Sequence, residues 1–270
     1  SLATYKNAMA NLVIYTAITA GKDTLHEPAH RIPGVEYICF TDSPAVSSQV
    51  FTLRPLPFIE KNPRLTARKL KLFAHNLFPN HEASLWLDGS KRIRRDLTPL
   101  LAEMARAPLT LMAHPQRDCV YKEAETCTRL GRENPDALTA QAAHYRAQNL
   151  PTHHGLYETS VIYRRHTTEV AAIMEAWWQE IQSHTMRDQL SLPYVLWRAN
   201  ITPQALKFRA WHDPFFLQYP HTWHESGDNR SRATARLHGA WWRLLTHMGL
   251  QNAYETAMRQ GRSFLHRYKA

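Results

Sequence analysis

Leu85-Trp86-Leu87-Asp88-Gly89-Ser90 is a short apolar run that halts on an acid and a glycine. An unbroken apolar strand implies burial on both faces, as in a parallel sheet covered by helices. In open α/β sheets the ligand lies beyond the carboxyl ends of such strands. Asp88 then stands where a metal ion or a sugar hydroxyl is held. Asp-Gly is equally a common turn pair, so the segment alone leaves both readings open.

The surrounding pattern favours an α/β layered domain. Leu12 to Thr19, Tyr37 to Phe40, Val50 to Leu53, Leu109 to Ala113 and Leu156 to Tyr163 are strand-like runs. Helical spacing separates them. It is found over Leu65 to Phe78, from Thr98-Pro99 to Ala107, and from Asn134-Pro135 to about Asn149. Val170, Ile173, Met174, Trp177, Trp178 and Ile181 form one apolar stripe at i, i+3, i+4, i+7, i+8 and i+11, which is a core-facing helix. Strands alternating with helices predict the layered fold. The expected division is a main domain over 1–225 and a helical carboxy-terminal extension over 226–270.

The 270 residues are 44% hydrophobic, enough for a substantial core. No apolar run approaches the ~20 residues of a membrane span. Cys39, Cys119 and Cys127 show no metal-ligand spacing and read as free thiols in a reducing compartment. The formal charge of +10 attracts polyanions, nucleotide diphosphates and anionic headgroups. There is no zinc-finger pattern, dense basic tail or RNA-binding aromatic signature, so no nucleic-acid partner is expected. No export signal is visible from Ser1 onward. The expected location is the cytoplasm, with peripheral contact at the inner membrane through the basic carboxy-terminal helices.

Several clusters suit chemistry. Arg64, Arg68, Lys71 and His75 are spaced 4, 3 and 4, within roughly 60° of one another around a helix. They form either a solvated basic face or a clamp for a diphosphate. Thr16, Ala17, Thr19 and Asp42 lie at predicted strand ends, either as ordinary loop residues or as a nucleoside contact. His114, Arg117, Asp118 and Glu123 follow another strand. Asp118 reads as a helix cap, and His114, Arg117 and Glu123 alternatively as an acceptor-sugar site. Glu158 interrupts an apolar strand and needs either an exposed edge or a role. Asp188 reads as a helix cap or, with Gln189, as a donor-sugar contact. A late histidine such as His212 suits a metal site alongside Asp88.

In this order, seven motifs resemble a glycosyltransferase-like domain family of plant mucilage-type and bacterial proteins. They are VIYTAITAGKD, YICFTD, RLTARKLKLFAHNLFP, LWLDGS, AHPQRDCVYKEAE, GLYETSVIYRR and WWQEIQSHTMRDQLSLPYVLW, spanning roughly Leu12 to Trp197. That family is distantly similar to glycogenin-like, family 8 transferases of the GT-A fold. The resemblance implies a Rossmann-like, mainly parallel sheet flanked by helices and a nucleotide-sugar donor in the amino-terminal half. It implies Asp88 as the first acid of the acidic motif, with Gly89 and Ser90 beside the donor. Arg68 and Lys71 fall near the diphosphate, and Asp188 with Gln189 near the donor sugar. Ser90 departs from the pattern, because the usual third place is an acid. A hydroxyl is a far poorer ligand for Mn²⁺ or Mg²⁺ than a carboxylate, which puts the expected divalent cation in doubt.

The expected reaction is transfer of a sugar from a nucleoside diphosphate to a hydroxyl of a glycan, in cell-surface polysaccharide synthesis. Asp188, Gln189 and Glu158 are the expected catalytic residues. The rivals are a polyanion-binding module without chemistry, and a metal-dependent hydrolase using Asp88, His114 and a late histidine.

Overall fold

The computed structural model describes residues 11–207 and 213–219. The expected extension over 226–270, and His212, lie outside the described residues. The chain runs through β1 (Leu12–Ile18), β2 (Glu36–Thr41), β3 (Thr52–Arg54), α1 (Pro63–Leu72), α2 (Ala74–Leu77) and β4 (Ala83–Leu87). It continues through β5 (Lys91–Ile93), α3 (Thr98–Met104), β6 (Leu109–Ala113), α4 (Val120–Arg129), α5 (Pro135–Ala147) and β7 (Tyr157–Arg165). The described part closes with α6 (Thr168–Ser183), α7 (Asp188–Arg198), β8 (Gln204–Leu206) and β9 (Phe216–Gln218).

One seven-stranded sheet has the order β3-β2-β1-β4-β7-β6-β8. Its pairings are parallel except at β7, which runs against both β4 and β6. The expected α/β class, a mainly parallel sheet between helices, is what the chain adopts. β5 and β9 form a separate antiparallel ribbon. These two, and β8, have sequences too short to read as strands, and each gets its partner from a distant part of the chain.

Alternation along the strands feeds two cores. Val13, Tyr15, Trp86 and Ile162 pack with Leu70, Leu72 and the Trp177/Trp178 helix on one face. Ile14, Ile18, Leu85, Leu87 and Val161 pack with Leu100, Leu101 and Met104 on the other. All six residues of the stripe on α6 are buried, as their spacing predicts. A smaller cluster joins α4, α5 and α7 through Cys127, Leu138, Tyr145, Leu190 and Tyr194. The three cysteines are free and buried.

The expected single helix over Leu65 to Phe78 is two. Asn62 caps α1 by accepting from the Leu65 amide at 2.9 Å. At the other end Phe73 leaves helical geometry at φ −94, ψ 37. The cause lies in the sheet. The Tyr15 hydroxyl donates to the carbonyls of Leu70 (3.1 Å) and Lys71 (2.9 Å), and the Arg164 guanidinium also donates to the Lys71 carbonyl. Last-turn carbonyls need such partners, and a cation suits the negative end of a helix. Arg164 is buried, and its other donors go to the Tyr15 hydroxyl, Ser84 Oγ and Met174 Sδ. Burial pushes the Tyr15 phenol up to about 12 against the pull of Arg164, so it stays a neutral donor. His75 falls beyond the break, in α2, and lies 3.7 Å from Glu175.

Arg164→Ala is expected to destabilise the domain by about 3 kcal/mol or more, from the cavity and the orphaned α1 carbonyls together. A urea titration checks this.

Candidate active site

Because β7 is antiparallel, its first residues share an edge with the last residues of β1, β4 and β6. The register between β6 and β7 also slips there, from Leu111↔Ile162 to Met112↔Glu158. Thr159, Ser160 and Val161 therefore have no partner on β6. Irregularities of this kind re-aim side chains beside functional sites. On the other side the Asp88 amide donates to the Ser160 carbonyl at 2.9 Å. Asp88 also begins the turn anticipated for Asp-Gly, its carbonyl accepting from the Lys91 amide at 2.8 Å. The turn and the functional reading coexist. Gly89 is needed for close approach: a Cβ there would lie 2.7 Å from Ile18 Cδ1 and 3.0 Å from the Ala17 carbonyl.

Lys71 is the centre of the edge. Its Nζ lies 2.8 Å from Asp188 Oδ2 and 3.4 Å from Asp88 Oδ1. Only 1% of the Lys71 side chain and 4% of the Asp188 side chain are exposed. Asp188 Oδ2 also accepts from Thr159 Oγ1 at 2.8 Å, and Arg68 lies 3.3 Å from Asp188 Oδ1. Burial alone would raise the Asp188 carboxyl. Arg68, Lys71 and Arg187 outweigh it and hold Asp188 far below the usual carboxylate range. Asp88, with 31% of its side chain exposed, also accepts from Trp86 Nε1 at 2.7 Å. Burial pushes it up, but Lys71, Arg68 and the Trp86 bond bring the net shift downward.

Asp188 does not cap α7. The cap residue is Arg187, with no side-chain capping bond, and Asp188 is the first helical residue. Its backbone is placed by α6, since Trp177 Nε1 donates to the Asp188 carbonyl (3.1 Å) and to Ser191 Oγ (3.0 Å). Asp118 does not cap α4 either. Cys119 takes that position, and Asp118 meets His153 Nδ1 at 2.7 Å.

The basic residues of α1 are not a solvated face. Arg64 pairs with Glu133 at 3.2 Å, and the Arg64 and Arg68 side chains are only 15% and 18% exposed. The Nε atoms of Arg68 and Arg187 are buried with no hydrogen-bond partner among the described residues. Buried donors without acceptors are costly, and the side chains that carry these two keep 18% and 15% of their surface exposed.

A second group adjoins. Arg117 Nε donates to Glu123 Oε2 at 2.6 Å, and Arg187 reaches Glu123 Oε1 at 3.4 Å and Gln189 Oε1 at 2.9 Å. Cys127 Sγ also donates to Glu123. Glu123 is fully buried and so, contrary to expectation, faces no open site. It anchors two guanidinium groups instead. The Arg117 guanidinium lies 3.2 Å from His114 Nε2. Burial, then Arg117, lowers the His114 imidazole, which favours its neutral form.

Other expected donor residues are structural in this geometry. Thr16 and Ala17 are buried within β1. Thr19 Oγ1 donates to the Pro63 carbonyl at 3.3 Å. Both Asp42 oxygens accept from the Ala20 amide, at 2.9 and 3.1 Å, fastening the turn after β1. Glu158 is half-buried. Burial raises its carboxyl, Lys91 opposes, and Asp88 and Asp213 add to the rise. Thr159, Arg187 and Lys91 are site residues that motif reading missed. Only the exception of polar residues inside an apolar strand hinted at Thr159.

Among the described residues, the donor set at Asp88 does not fit a divalent ion. Asp88 Oδ1 is taken by Trp86 and Lys71, and Ser90 Oγ accepts from Gln218 Nε2 at 2.6 Å. Among the described residues no group of three or more His, Cys, Asp or Glu is arranged to hold a metal. Hard cations want several oxygen ligands, carboxylates foremost.

An open sheet of order 3-2-1-4-7-6-8, with an acid at the end of β4 and a cationic helix beside it, is a Rossmann-like domain of the GT-A type. A sequence model of the TOD1/MUCI70, glycosyltransferase-like domain family matches residues 46–216. The chain belongs to that family. It is also similar to a probable hexosyltransferase, MUCI70, of Arabidopsis thaliana. The two are 27% identical over 158 residues, covering 54% of this chain and 27% of that protein's length. No helix among the described residues is long and apolar enough to cross a membrane.

Asp188→Asn is expected to destabilise the domain by about 3–5 kcal/mol near neutral pH, because Lys71 is left buried with a weaker partner. A depressed carboxyl stabilises fully above its unfolded value of about 4, and that contribution is lost as pH falls below it. Urea midpoints measured down to about pH 3 should therefore fall less steeply in the variant than in the parent.

Proposed function

We propose that this domain transfers a sugar, a hexose on the analogy of its relative's name, from a nucleoside diphosphate to a hydroxyl of a glycan acceptor. One observation carries the reading: two buried guanidinium Nε atoms, of Arg68 and Arg187, without a hydrogen-bond partner among the described residues, flank the Lys71–Asp188 pair at the carboxyl end of the parallel strands.

In the reaction the bond between the anomeric carbon and the terminal phosphate oxygen breaks. A bond from that carbon to the acceptor oxygen forms, and the acceptor loses a proton. Negative charge grows on the departing diphosphate, and fixed cations aimed at it supply the largest stabilisation. Arg68 and Arg187 are the contacts we assign to it, with Lys71 and Arg64 adding to the field. The turn held by Asp42 supports the nucleoside. Asp88, through its outward oxygen, and Gln189 accept from hydroxyls of the donor sugar. Glu158, its carboxyl raised by burial, suits proton transfer from the acceptor. His114 and Arg117 orient acceptor hydroxyls, with Arg117 and Arg187 braced by Glu123. Peripheral membrane contact and a role in polysaccharide synthesis fit the overall charge.

The polyanion-binding alternative has less support. Arg54, Arg64, Lys69, Lys71 and Arg117 are each matched by a nearby carboxylate, which leaves little free basic surface around them.

Thermal-shift and calorimetric titrations with nucleoside diphosphates and nucleotide sugars test the proposal. A selective midpoint rise is expected for one nucleotide. Arg68→Ala should weaken that binding about ten- to a hundredfold, the worth of a charge-assisted bond. No nucleotide response, with salt-sensitive shifts by polyanions, would replace the transferase by the binding module.

A further inference from the structure

We infer that the Lys71 ammonium is the resident counter-cation of the Asp88–Asp188 pair, so that diphosphate binding at this edge needs no divalent metal ion. The ligand named here rests on the transferase reading; the geometry does not.

Lys71 Nζ lies between carboxylates from two different elements, at the end of β4 and the start of α7. A bridging ion would need that same place. The ammonium cannot swing aside, because its side chain is 1% exposed and its backbone carbonyl is held by Tyr15 and Arg164. Asp88 and Asp188 are matched one for one by Lys71 and Arg68, so the pair is neutral before any ion arrives. An incoming dication would face both cations, which already act on Asp88. Among the described residues, what remains for it is one oxygen of Asp88, a hydroxyl, Ser90 Oγ, already bonded to Gln218, and the half-buried Glu158, with no group of three or more such ligands arranged to hold a metal. Lys71 is too buried to touch a diphosphate. It sets the field, while Arg68 and Arg187 are left to make the contacts. Ser90 then follows from the presence of Lys71: with a fixed cation behind Asp88, a second acid would leave an unmatched charge.

Mn²⁺ titrations of the full chain alone, followed by electron paramagnetic resonance, test this without any nucleotide. The parent and Asp88→Asn should take up Mn²⁺ equally weakly. Lys71→Ala, which frees both carboxylates, should gain a site at least about tenfold tighter than the parent shows. The second arm uses UDP, GDP and ADP as probes, in EDTA and in Mn²⁺. The parent's affinity should agree between the two conditions within about twofold. The inference is overturned if the parent has an Mn²⁺ site that Asp88→Asn abolishes, or if Lys71→Ala gains none. It is also overturned if Mn²⁺ tightens diphosphate binding by more than about tenfold. Should Lys71→Ala fail to fold by circular dichroism, the parent and Asp88→Asn arms decide. If no diphosphate binds under any condition, the transferase reading fails, and the metal titration still judges Lys71.

Discussion

Lys71 has 1% of its side chain exposed, and an ammonium so placed is tolerable only when carboxylates meet it. Asp188 comes from the start of α7 and Asp88 from the end of β4, so the ion pair ties a helix to the sheet edge from both sides. Arg68, one turn earlier on α1, completes the match. The position of Lys71 is in turn set by the carbonyls of α1, which Tyr15 and Arg164 hold from β1 and β7. A buried guanidinium thus stands under a buried ammonium. Arg164 has helix carbonyls and hydroxyls for company, and Lys71 has the acids.

The second constraint is the direction of β7. Reversing one strand in an otherwise parallel sheet brings Glu158 and Thr159 to the edge that collects Asp88 and His114. The register slip beside them frees Thr159 to donate to Asp188. On the far side, α6 buries Trp177, and its indole N–H reaches the Asp188 backbone. The apolar stripe that builds the core therefore also aims the acid. Packing and charge placement are one arrangement here, because the same helix supplies both.

Much of this was legible in residue patterns. Strand runs such as LWL and helix spacing such as that from Val170 to Ile181 depend on local chemistry, and they were recovered nearly to the residue. The grouping of Arg68 and Lys71 followed from helical period alone. What escaped was anything requiring a partner far along the chain. The break at Phe73 is imposed by Tyr15 and Arg164, so α1 could not be seen to end before His75. Asp188 and Asp118 carry good capping chemistry, and tertiary partners outbid it: Lys71 and Thr159 for one, His153 for the other. Glu123 read as part of an acceptor-sugar site at a helix start. Its burial between Arg117 and Arg187 depends on α4 meeting the segment before α7, 64 residues along the chain.

The sequence by itself determined the layered α/β class, the core stripes, the free thiols and the basic helix before the Asp88 strand. Periodicity and composition act over a few turns or one strand, and that range suffices for each. Only the tertiary structure decided which cations remain available to an anion. Arg64, Lys71 and Arg117 read alike as positive residues in a row of letters. Folding pairs each with an acid from elsewhere in the chain; Arg68 and Arg187 meet Asp188 and Glu123 through a terminal nitrogen only, and their buried Nε atoms stay unpartnered among the described residues. Ion pairing depends on distance in space, and that distance is set by strand order, not by spacing along the chain.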